Sequence, residues 1–184
     1  KSALMELSAY DVDSYMEPDK IYYYETTRGC PFTCQFCLSG NESGLVSFPL
    51  EKTYRELQIF LDEKVKQVKL VDRTFNADAQ RAMKIWTFLK EHDNGITNFH
   101  FEISARLLTD EMLAFLETVP VGLFQFEIGV QTTCKLSLQA IGRAQDQEWE
   151  FKVIRRLVRA KKIHIHVDLI AGLPHEDLLR FRRS

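Results

Sequence analysis

From Lys20 onward, short runs dense in apolar residues alternate with longer stretches whose apolar positions recur every three or four residues. The short runs read as strands and the longer stretches as amphipathic helices. KIYYYETT (20–27), rich in aromatics and threonine, predicts the first strand. Pro49 opens PLEKTYRELQIFLDEK, in which Leu50, Tyr54, Leu57 and Leu61 share a helix face. VKQVKLVD (65–72) predicts a second strand, DAQRAMKIWTFLKEH (78–92) a helix, and TNFHFEIS (97–104) a third strand. Thr109 ahead of Asp110 and Glu111 is a good helix start. GLFQFEIGV (122–130) predicts a fourth strand, followed by helical CKLSLQAIG and EWEFKVIRRLVRAKK, and IHIHVDLIAGLP (163–174) a fifth strand with its loop.

Five strands separated by helices imply parallel β/α units, which commonly close as a barrel or a doubly wound sheet. An antiparallel sheet with one wet face is the alternative, against which the intervening helices argue. Side chains alternate along a strand, so each strand carries two rows. Ile163, Ile165, Val167 and Leu169 stand against His164, His166, Asp168 and Ile170. The third strand opposes Phe99, Phe101 and Ile103 to Asn98, His100, Glu102 and Ser104, and the fourth opposes Phe124, Phe126, Ile128 and Val130 to Gln125, Glu127, Gly129 and Gln131. The apolar rows are expected to face the helices and the polar rows the lumen of a partly open barrel, as a site for a polar ligand. Lumen histidines need partners, and His100, Glu102, Gln125 and Glu127 are available for His164 and His166.

The 184 residues are 45% apolar and 27% charged, an ordinary globular composition for one domain. A net charge of −2 gives no global pointer to nucleic acid or an anionic membrane. The apolar runs are too short to span a bilayer, and no secretory leader opens the chain, so the expected location is the cytoplasm. Residues 1–19 read as a lead-in and 20–184 as the core. Starting on Lys1 and stopping at FRRS, the chain reads as part of a longer protein.

Three of the four cysteines lie in RGCPFTCQFCLSG, with Cys30, Cys34 and Cys37 spaced C-x3-C-x2-C. In a reducing compartment such a cluster favours metal binding over disulfides. Three thiolates on one loop can hold three irons of a [4Fe–4S] cluster and leave the fourth open to a small ligand. Zinc sites favour paired C-x2-C knuckles and a fourth ligand. Cys134 is a candidate to complete the cluster, but its place near a helix start also suits a simple buried or capping-region residue.

CPFTCQFC resembles the cysteine signature of the radical S-adenosylmethionine superfamily, and EIGVQTT and VDLIAGLPHED resemble the fourth- and fifth-strand motifs of its oxygen-independent coproporphyrinogen oxidase and cobalamin-domain branches. The resemblance runs from about Lys20 to the C-terminus. It implies a partial parallel (β/α)6 TIM-like barrel, here truncated after the fifth strand. It also implies that Cys30, Cys34 and Cys37 bind a [4Fe–4S] cluster whose open iron chelates S-adenosylmethionine. Reductive cleavage then yields a 5′-deoxyadenosyl radical that acts on an unknown substrate. By the same resemblance Phe36 and Ile170 contact the adenine and Asp168 the nucleoside. Gln131 and Glu102 meet ribose or methionine, Arg143 meets the methionine carboxylate, and Thr74 keeps its family position in the loop after the second strand. That loop departs from the pattern: Asp72 and Arg73 stand where glycines are usual, which suggests a changed role such as substrate binding.

TTRGC and the lead-in LSAYDVDSYMEP look most like enzymes with an N-terminal cobalamin-binding domain, so cobalamin would belong to the full-length parent. An external one-electron reductant is the implied partner. The competing readings are a non-catalytic iron–sulfur electron carrier, which would ligate every iron and need no polar pocket, and a zinc-stabilised binding module.

Overall fold

Each strand's apolar row needs a cover, and the helix that follows it supplies one. A computed structural model describes residues 16–38, 44–143 and 146–184. Most of the lead-in, residues 1–15, lies outside the described residues, whereas Met16 is buried in the core. The main sheet has five strands, β1 (Ile21–Tyr24), β4 (Gln67–Leu70), β5 (Asn98–Ile103), β6 (Phe124–Gln131) and β7 (His164–Leu169), in that spatial order. Every neighbouring pair is parallel, which removes the antiparallel alternative. The connections carry α1 (Leu50–Asp62), α2 (Ala79–Glu91), α3 (Asp110–Leu116), α4 (Lys135–Ala140) and α5 (Gln147–Ala160), and a short α6 (Leu178–Phe181) follows β7.

Capping residues set the helix starts. Asp78 accepts from the Arg81 N–H at 3.0 Å, Thr109 from Met112 at 3.2 Å and Asp146 from Trp149 at 3.1 Å. Each satisfies a donor that the first helical turn leaves free, worth about 1 kcal/mol. One face of the sheet is wholly apolar: Val68, Leu70, Phe99, Phe101, Phe124, Phe126 and Ile128 are completely buried. Trp86 of α2 packs against this face, its ring 5.6 Å from Phe126 and perpendicular to Phe101 at 6.2 Å. Truncating such a ring would cost about 3–5 kcal/mol.

Two expectations change. The predicted first strand is broken: β1 ends at Tyr24, and the chain starts a separate strand, β2 (Thr27–Cys30), paired antiparallel with β3 (Gly44–Ser47). The apolar row of β7 is also only half covered. Ile163 is buried and Ile165 packs against the core, but Val167 is 46% and Leu169 39% exposed. Here β7 is an edge strand, and among the described residues its C-terminal half has no helix laid across it.

Candidate active site

The break between β1 and β2 is made by a buried carboxylate. Asp72, just past β4, is fully buried and accepts from the Thr26 and Thr27 hydroxyls at 2.6 Å each and from the Thr26 N–H at 3.1 Å. Burial pushes the Asp72 carboxyl up, and these hydrogen bonds pull it back. Arg81 of α2 donates to the Thr26 carbonyl at 3.2 Å and to Thr53 Oγ1 at 3.1 Å. The departure point of the cysteine segment is thereby tied to two strands and two helices.

Gly29 then lets the hairpin close. Its φ is +94°, and a Cβ there would sit 2.2 Å from the Gly44 carbonyl oxygen, so only glycine fits. The hairpin delivers Cys30 beside Thr74, with Sγ 3.5 Å from Thr74 Oγ1. Cys34 follows half-buried and Cys37 exposed, the Cys37 N–H donating to the Cys34 carbonyl at 3.0 Å. Burial pushes the Cys34 thiol up against the pull of Arg143, and Cys37 and Cys30 are near enough to reinforce the rise. Among the described residues, no three His, Cys, Asp or Glu side chains converge as they would on one metal ion. Three thiols on one short segment are the donor set that a cluster taking one thiolate per iron needs.

Beside the hairpin, at the C-terminal ends of the strands, lies a polar cavity of approximately 210 Å³. Phe32 and Arg106 form one wall, with the guanidinium 4.1 Å over the ring, a cation–π geometry. Thr74, Glu102, Glu127, Gln131, Arg143 and Asp168 also line the cavity, together with Arg73. The end of β6 is specially shaped for this. Gln131 has φ +70°, the β6–β7 register shifts between Gly129 and Gln131, and a Cβ on Gly129 would meet Gln131 Nε2 at 2.1 Å. Such backbone is costly for a residue with a side chain and persists where its surroundings hold it. Arg143 donates to the Gly129 carbonyl at 2.9 Å, and its guanidinium lies 4.0 Å from Glu150, an almost fully buried carboxylate of α5.

Beneath the cavity, the inward polar row is wired around Lys69 and Glu127 rather than around His164 and His166. Lys69 on β4 donates to Glu127 at 3.0 Å and lies 3.7 Å from Glu102. His100 lies 3.2 Å from Glu127. Burial raises the Glu127 carboxyl, but Lys69, His100 and His166 outweigh it and hold the group below the usual range. Burial, then the Glu127 charge, pushes Glu102 up, and burial, then the Lys69 charge, holds His100 below 6.5. His166 stands beside Glu127 and His164 beside Gln125 in register, so both are on the inward row. They are exposed, however, with His166 stacked 6.2 Å from His100, and the network rests mainly on Lys69 and Glu127.

Of the residues named from sequence, Thr74, Glu102, Gln131, Arg143 and Asp168 line the cavity. Two do not. Phe36 is 38% exposed on the cysteine loop, and Ile170 packs with Leu138, Ile141 and Leu173. Cys134 sits at the start of α4 with Sγ 3.9 Å from the His175 carbonyl. Phe32, Arg106 and Lys69 are not among the residues named from sequence, whereas Glu127 is, as a partner for the strand histidines. Period-two alternation would have found Lys69, but nothing local marks Phe32 or Arg106.

A sequence model of the radical SAM superfamily matches residues 24–183. The cobalamin-dependent radical SAM methyltransferase TokK of Streptomyces tokunonensis is 27% identical over 170 residues, covering 86% of this chain and 24% of that one. Among solved structures, the radical S-adenosylmethionine methyltransferase TsrM of Kitasatospora setae superposes with a TM-score of 0.75 at 16% identity, over 90% of this chain and 33% of that one. Coproporphyrinogen III oxidase (HemN) of Escherichia coli gives 0.65 at 17% identity, over the whole of this chain and 43% of that one. The chain spans 24% to 39% of the length of the curated relatives it matches.

Proposed function

The chain belongs to the radical SAM superfamily, and from that membership we propose that it is the catalytic core of an enzyme performing reductive S-adenosylmethionine chemistry on a substrate held in the polar cavity. The family uses a [4Fe–4S] cluster and S-adenosylmethionine, and such an enzyme needs an external one-electron reductant. The observation that carries the reading is the meeting of two features: the cysteine hairpin and the cavity share one edge, joined by the Cys30–Thr74 contact.

In this reading Cys30, Cys34 and Cys37 would each hold one iron, and the cluster with S-adenosylmethionine would supply cleavage of the sulfonium by one electron from the external reductant, giving methionine and a 5′-deoxyadenosyl radical. The chain's own residues bind and orient. Arg143, braced by the Gly129 carbonyl, offers a planar fork to the methionine carboxylate. Asp168, Gln131 and Glu102 supply polar contacts to the rest of the cofactor. Phe32 provides the aromatic wall first assigned to Phe36. The Lys69–Glu127–His100 group holds the floor and keeps Glu127 ionised.

We further propose that the parent protein carries a cobalamin-binding domain, by analogy with TokK, and acts in the cytoplasm. Among the described residues no helix is long and apolar enough to cross a membrane. The decisive test is anaerobic iron–sulfur reconstitution followed by dithionite and S-adenosylmethionine. Release of 5′-deoxyadenosine is expected, and its absence from a chain with a full cluster would overturn the reading.

A further inference from the structure

The cavity wall carries six charges: Arg73, Arg106, Arg143, Glu102, Glu127 and Asp168. The others have partners or a role in the proposed reading. Arg143, braced on the Gly129 carbonyl, is given to the methionine carboxylate, Arg106 lies over Phe32 and donates to Ser104 Oγ at 3.3 Å, and Lys69 pairs with Glu127 and lies 3.7 Å from Glu102. Asp168 is already given to the cofactor in the proposed reading. Arg73 is different. It is exposed on the cavity wall, and among the described residues its guanidinium makes no hydrogen bond or ion pair, feeling Glu102 only at longer range.

Its position is nevertheless fixed by its neighbours. On one side Asp72 is fully buried and holds three donors from the β1–β2 link. On the other, Thr74 is 7% exposed, donates to the Arg73 carbonyl at 2.8 Å and touches Cys30. A backbone pinned at both flanks tethers the guanidinium to the cavity wall, so capture of a partner there orders the side chain but not the main chain. Its five donors in a planar fork match a carboxylate or phosphate oxygen pair.

We propose that Arg73 is a substrate-recognition residue that reads an oxyanion, so the substrate carries a carboxylate or phosphate group placed beside the cysteine hairpin. This rests on the proposed function, because it assigns the substrate class of the same cavity. Its test does not need turnover. In the unloaded chain the Arg73 side-chain Nε–H resonance, assigned by its loss in Arg73→Gln, is followed while inorganic phosphate or acetate is titrated at constant ionic strength.

A saturable shift is expected with at least one anion, and the tighter of the two distinguishes a phosphate-bearing from a carboxylate-bearing substrate. Arg73→Gln in the reconstituted chain is expected to weaken that anion at least about tenfold more than it weakens S-adenosylhomocysteine, the loss of one bidentate contact. No shift beyond that given by sodium chloride overturns the proposal. Equal weakening of anion and S-adenosylhomocysteine also overturns it, by assigning Arg73 to the cofactor. Failure to form 5′-deoxyadenosine would instead count against the radical reading, leaving the anion titration of the unloaded chain as a separate result.

Discussion

Asp72→Ala tests how the cysteine hairpin is anchored. The substitution leaves three donors, the Thr26 N–H and the hydroxyls of Thr26 and Thr27, without their acceptor. Thr26 and Thr27 are 0% and 3% exposed, so water does not readily replace the carboxylate. Each orphaned buried donor costs about 1–3 kcal/mol, but the two hydroxyls can turn toward other acceptors, so the total is about 3–5 kcal/mol. Against a typical fold stability of about 5–15 kcal/mol this is severe. Urea unfolding at pH 7 measures it directly. Asp72→Asn keeps the shape and one acceptor oxygen, so it should fold with a loss of about 1–2 kcal/mol. It should also release the reconstituted cluster faster, because Thr26 and Thr27 launch the strand that carries Cys30. An Asp72→Ala stability within about 0.5 kcal/mol of the parent, the size of a neutral surface change, would refute the anchoring role.

Replacing any one of Cys30, Cys34 or Cys37 with Ala should abolish the visible absorbance of the reconstituted cluster, whereas Cys134→Ala should retain it; loss in the latter would make Cys134 a ligand. Gly29→Ala should destabilise the fold by about 1–3 kcal/mol in urea unfolding, since φ +94° and the 2.2 Å approach to Gly44 both exclude a Cβ. His100 predicts a pH effect. The fold holds its pKa below 6.5, so below that pH the unfolded chain takes up a proton that the folded chain resists. Its contribution is therefore complete above 6.5 and lost as pH falls through the lowered folded value. Urea midpoints at pH 7 and pH 5 should differ less in His100→Gln than in the parent, and an unchanged difference would show that His100 does not titrate this way.

Apart from the β2–β3 hairpin and the short α6, the order of strands and helices was legible from residue 20 onward because each element must bury one face. A period near two or 3.6 is the direct trace of that burial. The same period put His100, Glu102, Glu127 and Asp168 on one side of the sheet, and in parallel register they are neighbours. The C-x3-C-x2-C spacing is local, so the proposed cluster ligands are readable without a fold. What the sequence left open are contacts between residues far apart in the chain. Asp72 read only as a departure in a loop, and tertiary structure made it the acceptor for Thr26 and Thr27, which split the expected first strand in two. Phe32 and Arg106 become one wall of the cavity only when the cysteine loop meets the end of β5. Phe36 was assigned by resemblance to the cysteine motif yet does not line the cavity, because a loop has no fixed period to dictate its faces. Val167 and Leu169 look like core residues, yet apolar character sets only a tendency to be buried. Whether a partner covers them is decided by the strand's place in the sheet, and among the described residues β7 is at the edge.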